Sequence, residues 1–79
     1  YPNPVRSSLK ISYVLYEPSN VEIDLYNVKG QFIDRILNDN YLIGKHSINR
    51  DIINYPSGLY YIHYKTDKQA ETKKITIIR

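Results

Sequence analysis

The chain has no cysteine, only three glycines and four prolines among 79 residues, and no apolar run approaching the roughly 20 residues that span a bilayer as a helix. Without thiols there is neither a disulfide framework nor a thiolate metal site. A domain of this length buries only about 60 to 65% of the surface its unfolded form exposes, so its stability must come from packing alone. Export is not excluded, since cysteine-free domains are also secreted. No basic-then-apolar leader opens the chain, and Tyr1 is not an initiating residue. The expectation is one domain over residues 1–79, a piece of a longer secreted product.

What is present points to a folded chain. Apolar residues make up 42% and charged residues 24%, a balance that suits a globular domain and not a disordered one. The net charge of +3 is uneven: residues 1–40 carry four Lys/Arg against five Asp/Glu, residues 41–79 seven against three. Solvated strand faces account for this as well as a patch for an anionic partner does.

Helical periodicity is missing over any window of 11 or more residues, while β-branched residues and tyrosine are abundant. Period two takes its place. In 9–15 the apolar positions are Leu9, Ile11, Tyr13 and Leu15; in 21–26 they are Val21, Ile23 and Leu25, with Glu22 and Asp24 turned to water. Glu17-Pro18-Ser19-Asn20 reads as a hairpin connection between these strands, and Asn27-Val28-Lys29-Gly30 as a turn with glycine at positive φ.

Residues 31–37 place Phe32, Ile33, Ile36 and Leu37 on both faces, which a bulge or a doubly buried strand explains. Asn38-Asp39-Asn40 reads as a loop, and a short strand around 45–49 has His46 and Ile48 on one face. After Tyr55-Pro56-Ser57-Gly58 come the most β-prone stretch, 59–65, and a last strand, 72–78. Turn signals every 8 to 15 residues predict an all-β fold. The expected form is a small antiparallel immunoglobulin-like sandwich of six to seven strands with Greek-key order; a small barrel is the alternative.

Few residues carry chemistry. Ser47, His46 and Asp51 supply the types of a nucleophilic triad, but neighbours on a strand point to opposite faces and cannot share a proton. There is no Gly-x-Ser-x-Gly elbow. The two histidines, His46 and His63, lie 17 residues apart with no third ligand at a familiar spacing. No catalytic residue, metal site or cofactor is assigned, and the chain is not expected to be an enzyme. Tyr60, Tyr61 and Tyr64 beside Lys65, Lys68, Lys73 and Lys74 suit a nucleic-acid or polysaccharide surface, but tyrosine equally fills sandwich cores and rims.

Several of these segments recur in one family. Tyr1-Pro2-Asn3-Pro4 leading into Ser7-Ser8-Leu9-Lys10-Ile11, Val21 to Asn27 followed by Gly30-Gln31, Gly44-Lys45-His46-Ser47-Ile48, Ser57-Gly58-Leu59-Tyr60-Tyr61-Ile62, and Lys74 before closing aliphatics stand in family order. The chain thus resembles the type A C-terminal sorting domain of type IX secretion in Bacteroidetes. It departs at Arg50, where relatives often carry tryptophan or another apolar residue. The alternative is a passive immunoglobulin-like adhesion or spacer module similar to the flagellar hook-cap domain.

The resemblance implies a removable address for a covalently linked N-terminal cargo. The cargo would reach the periplasm through its own signal peptide, and the translocon would recognise the folded module. A sortase would then cut before Tyr1, with cargo released or joined to lipopolysaccharide at the cell surface. The expected partners are translocon and sortase, with no nucleic acid and no membrane insertion, and the domain is expected to be a monomer. Recognition candidates are Lys74, Lys73, Arg79, Gly58 and Tyr60, with Lys74 and the closing edge foremost. Tyr1, Pro2, Asn3, Pro4, Gly30, Gly44 and His46 are family motif positions. Pro2 and Pro4 lack N–H groups and would keep the junction out of the sheet. Lys73, Lys74 and Arg79 would act as gatekeepers beside Ile75, Ile77 and Ile78.

Overall fold

Alternating apolar positions organise the computed structural model, which describes residues 6–78. The expectations for Tyr1, Pro2, Asn3, Pro4 and Arg79 lie outside the described residues. Among the described residues six strands follow in order: β1 (Ser8–Leu15), β2 (Ser19–Asn27), β3 (Phe32–Tyr41), β4 (Gly44–Asp51), β5 (Gly58–Lys65) and β6 (Ala70–Ile77). They form two antiparallel sheets, β1-β4 and β3-β2-β5-β6. The β2, β3, β4 course followed by β5 returning beside β2 is the Greek-key order expected from the turn spacing.

Between the sheets lie Leu9, Ile11 and Leu15 of β1, Val21, Ile23 and Leu25 of β2, Tyr60 and Ile62 of β5, and Ile75 and Ile77 of β6. Each is the inward member of a period-two pattern. Full burial of one such aliphatic contributes about 1.5–3 kcal/mol. Ile52, just past β4, is also fully buried, and its N–H donates to the Ser7 carbonyl at 3.0 Å, tying the strand's exit to the start of β1.

The double-faced apolar pattern of β3 has a backbone cause. Ile23 opposes Leu37 while Asp24 opposes Arg35, and Leu25 opposes Asp34 while Tyr26 opposes Phe32. Ile36 and Ile33 are the extra residues of two bulges, and each bulge shifts the side-chain alternation by one. Ile36 thereby enters the core and Ile33 and Leu37 pack against it, while the two shifts cancel at Phe32, which keeps its outward direction and comes to lie opposite Tyr26.

The structure corrects three expectations. Asp24, read as turned to water, is buried although on the outer face, because the Arg35 side chain lies over its carboxylate. Residues 17–20 do not close a hairpin, because β1 pairs with β4 and β2 with β3 and β5. The segment instead carries the chain from one sheet to the other: a proline turn reverses direction, but sheet membership is set by which strands share the core. Asn38, Asp39 and Asn40 are not a loop but part of the end of β3, opposite Glu22, Val21 and Asn20 respectively. The Asn20 side-chain amide donates to the Asp39 carbonyl at 3.4 Å and to Asn40 Oδ1 at 3.2 Å, so cross-strand bonding overrides the turn preference of these residues. The Asn27 turn forms as its sequence indicates. Gly30 has φ of +82°, and Asn27 Oδ1 accepts from the N–H groups of Lys29 and Gln31.

Candidate functional site

Strand pairing converts residues scattered in sequence into rows across the outer face of the four-stranded sheet. Tyr26 opposes Phe32 on one side and Tyr61 on the other, and Tyr61 opposes Lys74. One row therefore reads Phe32, Tyr26, Tyr61, Lys74 from β3 to β6. Tyr26 and Phe32 meet edge to face with centroids 5.9 Å apart, the geometry favoured by opposed ring quadrupoles. Phe32 is 55% exposed, high for a large aromatic, and Lys74 is exposed at the row's end.

The next row is polar. Asp24, only 6% exposed although it points outward, accepts from Arg35 Nε at 2.9 Å and Nη2 at 3.2 Å. His63 opposes Asp24, and its Nδ1 lies 3.0 Å from Thr72 Oγ1. Between the rows is a shallow depression of about 280 Å³ lined by Tyr26, Gly30, Tyr61, His63 and Thr72. The aromatic row offers flat apolar area ending on one ammonium, that of Lys74.

The recognition candidates are divided by this geometry. Lys74 belongs to the outer face. Lys73, opposite Ile62, has the inward parity yet remains exposed, lining a depression with Ile11 and Tyr13 of β1. Tyr60 is buried, and its hydroxyl donates to the Pro56 carbonyl at 2.8 Å. Gly58 opposes Ile77 at the start of β5. Tyr60, Tyr61 and Tyr64 do not form one stacking surface: Tyr60 and Tyr64 face inward and Tyr61 outward. Tyr26 and Phe32 were not singled out by sequence reasoning. The outward parity of Tyr26 was legible, while the pairing of Phe32 with it depends on the two bulges of β3.

His46 and Ser47 point to opposite faces of β4, as alternation requires. The His46 ring stacks on Tyr13 at 5.4 Å, and its Nε2 donates to the Leu42 carbonyl at 2.7 Å. Tyr13 also contacts Tyr41 and Tyr64, and burial followed by these neighbouring phenols pushes its pKa up to about 12. His46 is thus part of an aromatic plug at one mouth of the sandwich. Among the described residues, no group of three or more His, Asp or Glu is placed to hold a metal ion.

At the β3–β4 side, Asp34 accepts from Tyr55 Oη at 2.6 Å and from the Arg50 guanidinium. The Tyr55 hydroxyl and the Arg50 cation hold the Asp34 carboxyl below its ordinary range. Arg50 thus forms an ionic latch between the sheets.

A family model described as the secretion system C-terminal sorting domain matches residues 1–78. No curated protein and no solved structure matches the chain.

Proposed function

Because the chain belongs to the family of secretion-system C-terminal sorting domains, the sorting signals of type IX secretion, we propose that it carries a covalently attached periplasmic cargo across the outer membrane and is then removed. In this reading the translocon recognises the folded sandwich. A sortase cuts ahead of the domain, and the cargo is released or joined to lipopolysaccharide at the cell surface. The domain performs no reaction of its own. The family match over residues 1–78 is the observation that carries this reading.

We assign recognition to Lys74 and the aromatic row that ends on it. A preformed sheet presents these groups with little ordering cost, so a modest contact area suffices for a transient export complex. The decisive experiment fuses residues 1–79 behind a reporter with an N-terminal signal peptide in a type IX-competent bacterium. The reporter is expected outside the cell or on its surface; retention in the periplasm refutes the sorting role.

A further inference from the structure

The two edges of the large sheet are unlike. The β3 edge is broken by two bulges, a device that discourages pairing with another chain. The β6 edge is straight, pairing with β5 in unbroken register from Ala70 opposite Lys65 to Ile77 opposite Gly58. Among the described residues β6 has a strand neighbour on one side only. It contains no proline, and its exposed stretch from Ala70 to Lys74 alternates charge as Glu71, Lys73 on one face and Lys74 on the other.

We propose that β6 is a self-pairing edge through which two copies of this chain join antiparallel about a two-fold axis at Thr72, forming one continuous eight-stranded sheet. The register follows from charge and parity. A two-fold normal to the sheet keeps core faces together only in registers that place a residue opposite its own copy; the intervening registers set the inner face of one copy against the outer face of the other. With Thr72 on the axis, Glu71 of each copy opposes Lys73 of the other, Ala70 opposes Lys74, and the two threonines meet. Opposite charges and threonine pairs directly across strands are favourable. Moving the axis to Glu71 places two carboxylates together, and moving it to Lys73 places two ammonium groups together. The Thr72 register alone among these three is free of like-charge contact and gains two ion pairs.

The contact is short, below the area of a stable interface, so association is expected at high rather than low micromolar concentration. The pairing departs from the monomer expected from the sequence, and it does not depend on the sorting role. Sedimentation velocity of the 79-residue chain from about 10 µM to about 1 mM reads it directly. Mass should rise toward twice the monomer value. Lys73→Glu and Glu71→Lys each convert both ion pairs into like-charge pairs and should weaken association about tenfold or more. An equimolar mixture of these two variants should associate again, because each then opposes its complement. Thermal melts of both variants should match the parent, since both positions are exposed. A parent that stays monomeric throughout, single variants that associate like the parent, or a mixture no better than its components would overturn the proposal.

Discussion

Replacing Asp34 by Asn tests the ionic latch between the sheets. The substitution keeps the shape of the side chain and one acceptor oxygen but removes the charge that Arg50 and Tyr55 address. The Asp34 and Arg50 side chains are 29% and 37% exposed, so the ion pair is partly screened and contributes about 0.2–1 kcal/mol. Weakening the charge-assisted bond from Tyr55 adds about 1 kcal/mol. The sum is about 1–2 kcal/mol, and at about 4–8 °C per kcal/mol for a domain of this size Tm should fall by about 5–15 °C at neutral pH.

The pH dependence separates charge from shape. The folded pKa of Asp34 lies below the unfolded value of about 3.9, so its contribution is fully present above that value and is lost as pH falls through the folded pKa. Thermal melts of parent and Asp34→Asn followed by circular dichroism should therefore differ at pH 7 and converge in strong acid, where the parent carboxyl is also neutral. A gap that persists undiminished in acid, or no gap at pH 7, refutes the assignment of this stability to the carboxylate.

Three further outcomes are expected. Ile23→Ala, at a position with no exposed surface, should cost about 2–5 kcal/mol in urea unfolding, the price of lost transfer energy plus a cavity. Tyr13 should resist ionisation to about pH 12 in an ultraviolet titration, and because its folded pKa is raised, the stability linked to it should be present below about pH 10 and lost as pH climbs through the folded value. Tyr13→Phe should remove that late-titrating signal. Lys74→Ala should change unfolding free energy by about 0.5 kcal/mol or less while reducing export of a fused reporter; equal loss of stability and export would make Lys74 structural.

The sequence by itself determined the all-strand character, the inward sets of β1 and β2, and the turn at Asn27, because side-chain alternation and turn chemistry act within a few residues. It also carried the family motifs. Tertiary structure decided which strands are neighbours. Nothing local tells Pro18 whether the next strand pairs with the last or crosses to the other sheet, and nothing local tells Asn38 to Asn40 that Asn20 waits opposite. Bulges at Ile33 and Ile36 likewise arise from matching β3 to β2, and only they bring Phe32 opposite Tyr26 to start the row that Lys74 ends. The lysine was legible as a charge near the end of the chain; its aromatic neighbours came from strands far away in sequence, brought together by register.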